Sequence, residues 1–202
     1  MAYRTRVFID FWNFQLQWND RAPDGARINW PQVPRVLLAE GKKQLEVLGL
    51  TDELSLEETL VYASWNPNSE GNLKRWLDGF LDKQPSFRVK TRERRSAKRS
   101  IRCHSCGHEN ASCQECQESF TWAPEKGVDT AIVTDLLSLA SEGAFDVAVL
   151  LSSDADHIPA VEWVQEKGLK VINATWAKHG FDLAKTSWAS IELDTVVPLL
   201  TR

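Results

Sequence analysis

The sequence predicts an α/β fold in which helices flank a parallel, Rossmann-like β-sheet. Residues 146–151 are almost all Val, Ala or Leu, a pattern typical of a strand buried on both faces. Similar short apolar runs alternate along the chain with segments whose apolar residues recur at helical spacing. Because helices would join successive strands by crossover connections, those strands are expected to run parallel.

The predicted elements alternate along most of the chain. Strands are predicted at residues 7–10, 59–64, 87–91, 146–151 and 169–172. Helices are predicted at residues 36–48, 69–82, 129–139 and 157–167. The segment 12–30 mixes Asn, Asp, Pro and Gly, which predicts a loop with little regular structure.

Composition limits the class of protein. With 202 residues, the chain is long enough for a single domain, residues 1–202, that contains a small insertion. No long apolar run is present, so no membrane span is expected. Residues 1–6 lead directly into a strand and do not resemble a signal peptide, which favours a cytoplasmic location. The net charge of −4 argues against nucleic-acid binding by the whole surface.

Four aspartates are expected to gather at one edge of the sheet, where the carboxyl ends of parallel strands meet. Asp10 ends the first strand, and Asp154 and Asp156 follow the strand at 146–151. Asp129 begins the helix before that strand. Neighbouring carboxylates repel one another unless a cation neutralises them, and oxygen ligands suit Mg²⁺ or Mn²⁺. The alternative is that Asp129 and Asp156 only cap helices.

Three motifs resemble those of the NYN domain, a branch of the PIN-like nuclease superfamily that includes LabA-like proteins. Residues 7–13 (Val-Phe-Ile-Asp-Phe-Trp-Asn) resemble the first motif, and residues 126–137 resemble the second. Residues 145–146, the strand after them, and residues 152–156 (Ser-Ser-Asp-Ala-Asp) resemble the third. The motifs occur in the family's order, and the resemblance covers most of the chain outside 92–124.

The resemblance implies a PIN-like fold and a metal-dependent RNA phosphodiesterase. The implied acidic cluster consists of Asp10, Asp129, Asp154 and Asp156, and the implied polar supports are Asn13 and Ser152. In such an enzyme, Asp10, Asp154 and Asp156 are expected to hold the metal, while Asp129 binds it or orients the attacking water.

Two further residues have an open role. Asp135 also matches the second motif, but six residues along a helix turn it away from Asp129, so it ranks below the others as a ligand. The family commonly has Gly and then an aromatic residue where this chain has Ala155 and His157. We expect His157 to line the surface of its helix, and contact with the scissile phosphate is the alternative.

Four cysteines predict a zinc-ribbon-like insertion at residues 100–122. Cys103-x-x-Cys106 and Cys113-x-x-Cys116 are separated by six residues, and two such turns can present four thiolates tetrahedrally. A Zn²⁺ with four thiolate ligands is structural, because no position is left for water. Four free thiols in a loop are the alternative.

A basic segment runs from the third predicted strand into the cysteines. Its predicted RNA-binding residues are Arg92, Arg94, Arg95, Lys98 and Arg99. A solvated linker is the alternative. Trp12, Trp65 and Trp176 each follow a predicted strand and, if exposed, could stack on unpaired bases, with core packing as the competing interpretation.

The function predicted from the sequence is therefore hydrolysis of RNA, with single-stranded RNA as the expected partner. One alternative is a non-catalytic RNA-binding or scaffold protein that keeps the fold. A second is another Asp-x-Asp metal enzyme, of Toprim or phosphatase type, although Asp10 stands where a Toprim site has Glu. The sequence does not fix the oligomeric state, and a homo-oligomer is compatible with it.

Overall fold

The computed structural model describes residues 2–202 and has a six-stranded, fully parallel sheet at its centre. In chain order its strands are β1 (Ala2–Asp10), β2 (Glu53–Trp65), β3 (Phe87–Glu93), β8 (Val147–Leu151), β9 (Lys170–Thr175) and β10 (Ala189–Glu192). Four short strands between β3 and β8 belong to a separate segment: β4 (Ala97–Lys98), β5 (Ile101–Arg102), β6 (Glu109–Asn110) and β7 (Thr121–Trp122). The spatial order of the main sheet is β10-β9-β8-β1-β2-β3, which places β1 and β8 side by side at its middle.

Helices cover both faces of this sheet. They are α1 (Phe11–Arg21), α2 (Val33–Val47), α3 (Gly71–Gly79), α4 (Val128–Ser141), α5 (Ile158–Glu166), α6 (Phe181–Thr186) and α7 (Val197–Leu200). Successive residues of β1 point to opposite faces, so Val7 and Ile9 pack with α1, α2, α3 and α7, whereas Phe8 packs with α4, α5 and α6. The predicted α/β class with a parallel sheet is confirmed. Within residues 2–202, no helix combines the length and apolar character needed to cross a membrane.

The predicted strands and helices are all present, with some differences at their ends. The largest difference is in β2, which begins at Glu53 rather than at residue 59. Its first six residues alternate between exposed and half-buried positions, so they lack the continuous apolar run that marked the rest of the strand.

The prediction of a loop over residues 12–30 is wrong for residues 12–21, because α1 occupies Phe11–Arg21, whereas residues 22–29 have little regular structure, as predicted. Asp10 caps this helix by accepting the Asn13 N–H at 3.2 Å. Phe11, Phe14 and Trp18 recur at helical spacing and are buried in the core. Asn13, Asn19 and Asp20, which suggested a loop, are polar residues of the same helix.

The cysteine-containing segment leaves the sheet after β3 and returns at α4. Strand β4 pairs with β7 in antiparallel fashion, and β5 pairs with β6. The β4–β7 pair therefore encloses the β5–β6 hairpin and a second turn that is closed by an antiparallel bridge between Ser112 and Ser119. This outer pair begins at Ala97, slightly before the predicted start at residue 100. Both ends of the segment connect to elements beside the carboxyl edge of the sheet.

Candidate metal site and its surroundings

Asp10 is a buried carboxylate at the carboxyl end of β1, with 4% of its surface exposed. One carboxylate oxygen accepts the Asn13 N–H, and the other accepts the Ser152 hydroxyl at 3.3 Å. Burial raises the pKa of Asp10 from 3.8 to about 7, while the Asn13 bond opposes the shift and the charges of Glu125 and Asp129 add to it.

Asp129 and His157 lie opposite this carboxylate. One ligand atom from each of Asp10, Asp129 and His157 lies within 4.8 Å of the other two. Asp129 stands in the first turn of α4, and His157 ends a 3₁₀ turn, Ala155–His157, that follows β8. Burial, together with the charges of Asp154 and Asp156, raises the pKa of Asp129. This group is called the metal triad below.

Asp154 and Asp156 lie beside the metal triad. Asp154 Oδ1 accepts the Asp156 N–H at 2.9 Å and so caps the 3₁₀ turn. Asp156 is exposed at the rim. Their negative charges act on Asp129 and His157. The four predicted aspartates therefore share one edge of the sheet. Helix capping was the alternative role for Asp129 and Asp156, but it is Asp154 that caps a turn.

The two polar supports hold the loop after β8 against β1 and α1. Asn13 Oδ1 accepts the Ser153 N–H at 2.9 Å. The Ser152 hydroxyl, which donates to Asp10, also accepts the Asp154 N–H at 3.2 Å. These bonds fix Asp10 and the Asp154 loop relative to one another, which is the arrangement expected of supporting residues around a metal site.

The prediction that His157 lines a surface is wrong. Its side chain is completely buried, because the turn that carries it packs against α4 and α6. Within residues 2–202 neither ring nitrogen has a hydrogen-bond partner. Burial lowers the pKa of His157, against the opposing effect of the nearby aspartates. The imidazole is therefore held near the carboxylates in a neutral form that can act as a ligand.

Sequence reasoning missed Glu125, a fifth carboxylate at this site. Its Oε1 accepts the Ser64 hydroxyl at 2.7 Å, and its charge raises the pKa of Asp10. Burial and the charge of Asp129 raise the pKa of Glu125 in turn. The residue directly precedes the motif that begins at Lys126, which is the one signal that could have suggested it.

Asp135 has partners of its own, away from the metal triad. It accepts hydrogen bonds from the Tyr62 hydroxyl at 2.6 Å and from Lys90 Nζ at 2.5 Å. Its lower rank in the sequence prediction agrees with this placement.

The tryptophans that follow strands are largely covered. Trp176 is 1% exposed and its ring stacks on Phe14, so an exposed role for it is wrong. Trp12 donates from Nε1 to the Ser64 carbonyl at 2.6 Å, and the Arg94 guanidinium lies over its ring at 5.1 Å. Lys74 Nζ lies 5.9 Å from the centre of the Trp65 ring. Core and rim packing therefore accounts for much of their surface.

The basic segment divides into one anchored residue and several exposed ones. Arg94 forms an ion pair with Glu70 and is half-buried against Trp12, so much of its charge is neutralised inside the protein. The exposed basic residues are Arg92, Arg95, Lys98 and Arg99. Trp122, which sequence reasoning also missed, is 53% exposed and lies under the Arg99 guanidinium at 4.6 Å.

Two neighbouring cavities lie along this basic surface. The first, of about 380 Å³, is lined by Lys90, Arg92 and Lys126 and by the first turns of α4. The second, of about 530 Å³, is lined by Arg95, Trp122 and again Lys126. Because Lys126 borders both cavities and Asp129 lies three residues along the chain, the basic surface adjoins the metal triad.

The two Cys-x-x-Cys segments fold into the same turn. In the first, the Cys103 N–H donates to the His108 carbonyl at 2.8 Å, and the Gly107 N–H donates to the Cys103 carbonyl at 2.9 Å. The second segment repeats both bonds with Cys113, Glu118 and Gln117. Hydrogen bonds from the backbone N–H groups of Cys106 and Cys116 lower the pKa values of the Cys103 and Cys113 thiols. Both turns therefore favour the thiolate, which is the form that binds metal.

A parallel sheet with a carboxylate cluster at the carboxyl ends of its central strands is the architecture of the PIN-like nuclease superfamily. The family model described as "NYN domain" matches residues 4–192, and the chain belongs to this family. No curated protein matches the sequence. A crystal structure of a protein of unknown function from Vibrio parahaemolyticus RIMD 2210633 has a similar fold, with a TM-score of 0.54 and 16% identity over 95% of this chain and 94% of that chain.

Proposed function

We propose that the protein is a metal-dependent ribonuclease that hydrolyses phosphodiester bonds of single-stranded RNA. The observation that carries this proposal is the buried carboxylate of Asp10, which faces Asp129 and His157 at the edge where β1 and β8 end. An NYN domain belongs to a superfamily of nucleases, which supports this class of reaction.

The donor atoms of the site fit a divalent cation. Asp10 has a pKa of about 7 because its charge is desolvated, so a nearby cation would stabilise the ionised carboxylate. One of the two unpartnered ring nitrogens of His157 faces the same space. When bound, Mg²⁺ or Mn²⁺ supplies charge neutralisation at the phosphate and lowers the pKa of a bound water.

The residues of the site have different roles in the proposed reaction. Asp10 and Asp129 hold the cation, and Asn13 and Ser152 keep Asp10 in place. Asp154 and Asp156 lie at the rim, where their carboxylates can accept hydrogen bonds from water that approaches the phosphate. Such positioning of water and phosphate accounts for much of the acceleration in phosphoryl hydrolysis.

The basic surface is the proposed path of the RNA strand. Lys90, Arg92 and Lys126 line a cavity that adjoins the metal triad. The exposed Arg92 and Lys126 would contact backbone phosphates, whereas Lys90 is paired with Asp135. The next cavity contains the exposed Trp122 ring, on which an unpaired base can stack. This path uses Trp122 in the role that the sequence suggested for Trp12 and Trp65.

A structural Zn²⁺ in the cysteine segment would hold this path in shape. The two similar turns and the lowered pKa values of Cys103 and Cys113 suit thiolate ligands. Among residues 2–202 no three of the cysteine sulfurs lie within 4.8 Å of one another, so Zn²⁺ would have to draw the two turns together. The hairpins bury little apolar surface, so metal binding would supply much of their folding free energy.

The proposed function is tested with purified protein, unpaired RNA and either Mn²⁺ or Mg²⁺, with and without a chelator. Cleavage should require the metal and should be lost in Asp10→Asn. The matched control is Asp24→Asn, because Asp24 is exposed in the loop after α1. If the wild type binds RNA tightly but leaves it intact with either metal, the chain is instead a non-catalytic RNA-binding protein.

A further inference from the structure

His157 is a buried imidazole whose two nitrogens have no partner among residues 2–202. Buried polar atoms are nearly always hydrogen-bonded or bound to a metal, because an unpaired buried polar group destabilises the fold. A residue that only filled the core would be more stable as an apolar side chain. The observation therefore points to a ligand that the imidazole meets when the site is loaded.

The position of His157 identifies where that ligand lies. One ring nitrogen lies within 4.8 Å of carboxylate oxygens from both Asp10 and Asp129, and those oxygens lie within the same distance of each other. Ligand atoms around an octahedral ion are about 3 Å apart when adjacent and about 4.2 Å apart when opposite. The three atoms are thus close to the spacing that a single ion imposes.

The charges around His157 also favour a cation. The charged groups that act on it are Asp129 of α4 and Asp154 and Asp156 of its own turn, and all three are acidic. The imidazole is therefore one nitrogen donor in a set of carboxylate oxygens.

We propose that His157 binds the metal directly through a ring nitrogen and makes the site prefer Mn²⁺ to Mg²⁺. This inference rests on the proposed function, since it concerns the metal of the same site. Mg²⁺ strongly prefers oxygen ligands and gives up its water reluctantly. Mn²⁺ is a first-row transition ion and accepts an imidazole ligand more readily than Mg²⁺ does. One nitrogen donor therefore stabilises bound Mn²⁺ more than bound Mg²⁺.

The direct test is pulsed electron paramagnetic resonance on the full chain loaded with Mn²⁺. The wild type should show a hyperfine coupling between Mn²⁺ and nitrogen. Labelling of the histidines with ¹⁵N should replace the ¹⁴N pattern of this coupling by the ¹⁵N pattern. The coupling should be absent in His157→Phe and present in His179→Phe, the matched control, because His179 is exposed. The wild-type measurement does not depend on the folding of any variant.

Titration calorimetry then measures the preference for one cation over the other. His157→Phe and His157→Gln should lower the affinity for Mn²⁺ by at least about tenfold, since even outer supports of a ligand have effects of that size. The affinity for Mg²⁺ should change much less, so the ratio of the two affinities should fall.

The outcomes separate this inference from the proposed function. If the wild type shows no nitrogen coupling, or if His157→Phe retains both the coupling and its Mn²⁺ affinity, His157 is only a buried core residue and the inference fails. Asp10→Asn is titrated alongside. If that variant loses Mn²⁺ binding, the carboxylate site of the proposed function stands even when His157 is not a ligand. If it binds Mn²⁺ as the wild type does, the proposed site itself is wrong.

Discussion

The hydroxyl of Ser64 donates a hydrogen bond of 2.7 Å to Glu125, and this bond ties the end of β2 to the segment that returns from the cysteine hairpins. The bond holds the Glu125 carboxylate near Asp10 and Asp129, whose charges interact with it. The cysteine segment therefore contributes a carboxylate to the site as well as a basic surface.

Glu125→Gln is expected to weaken the binding of Mn²⁺ by about tenfold, the size of effect typical for residues that support metal ligands. Glutamine keeps the bond from Ser64 but removes the negative charge, so the pKa of Asp10 should also fall. Titration calorimetry measures the affinity. Glu118→Gln is the matched control, because Glu118 is exposed in the same segment. Equal Mn²⁺ affinities for Glu125→Gln and the wild type would show that Glu125 has no part in the site.

Without added divalent cations, the protein should lose stability as the pH rises. The folded-state pKa of Asp10 is about 7, above its ordinary value of 3.8. A raised pKa contributes stability that is fully present below about pH 4 and is lost as the pH rises through about 7. The loss is up to roughly 4 kcal/mol, at 1.36 kcal/mol per pKa unit.

Urea unfolding at pH 5 and pH 8 measures the part of this loss that falls between pH 5 and pH 7, about 2.7 kcal/mol at 1.36 kcal/mol per pH unit, and Asp10→Asn provides the comparison. The variant has no carboxylate at this position, so its free energy of unfolding should decrease less between the two pH values. At pH 8 the variant should be at least as stable as the wild type. The same decrease in both proteins would show that the charge of Asp10 is already neutralised in the folded chain.

Metal affinity should change with pH in the opposite direction. Below pH 7 the Asp10 carboxyl is protonated in the metal-free protein, so a cation that binds there must displace a proton. The apparent affinity for Mn²⁺ should therefore fall by about tenfold per pH unit below 7. Calorimetry at pH 6 in two buffers of different ionisation enthalpy counts the released protons. Metal binding that releases no protons at pH 6, or an affinity that is the same at pH 6 and pH 8, would contradict the role of Asp10.

The parts of the fold that the sequence predicted are those with a local signal. In the run predicted at residues 146–151, Val147–Leu151 is buried on both faces, and its composition alone predicts this. Helix α1 was missed because Asn and Asp indicate loops on average, whereas here Asp10 caps the helix and Phe11, Phe14 and Trp18 hold it in the core. Local composition does not show whether the loop preference of Asn and Asp or the burial of the aromatic side chains is the stronger effect.

The sequence predicts the aspartates of the site but neither the burial of His157 nor the presence of Glu125. The aspartates were found because they follow strands or begin a helix, which are positions that a sequence displays. The burial of His157 depends on how α4 and α6 pack against its turn, and Glu125 reaches the site only through the returning cysteine segment. Both depend on contacts between distant parts of the chain, which one sequence does not reveal.

The purified chain is expected to contain one tightly bound Zn²⁺ on its four cysteines. Cys106→Ser should lose the zinc and disorder residues between β3 and α4, while the main sheet remains folded. Elemental analysis measures the zinc, and hydrogen exchange locates the disorder. Ser105→Ala is the matched control in the same turn. Protein prepared without chelator that contains no zinc would leave the segment as a loop with free thiols.

The exposed cations near the cysteines are expected to act on RNA binding rather than on bond cleavage. Replacing Arg95, Lys98 and Arg99 together by Ala should weaken the binding of single-stranded RNA and flatten its salt dependence by about 0.7 per lost phosphate contact. Turnover at saturating RNA should change much less than in Asp10→Asn. Replacing the exposed lysines Lys43, Lys83 and Lys167 instead is the charge-matched control. Arg94 is left intact, because its pair with Glu70 anchors the segment.

Trp122 is expected to give the protein its preference for unpaired RNA. Its ring is more than half exposed and lines the second cavity, which shares Lys126 with the first. A base can stack on this ring only if it is not already stacked in a duplex. Trp122→Ala should therefore raise the Kd for single-stranded RNA about fivefold to a hundredfold, which corresponds to the usual 1–3 kcal/mol per stacked base, and should leave duplex binding nearly unchanged. Trp65→Ala should have a smaller effect, because less of the Trp65 side chain is exposed than of Trp122. The Kd of each protein is measured with single-stranded and with duplex RNA. An equal loss of affinity for duplex RNA would mean that Trp122 only supports the hairpins, since the ring cannot stack on paired bases.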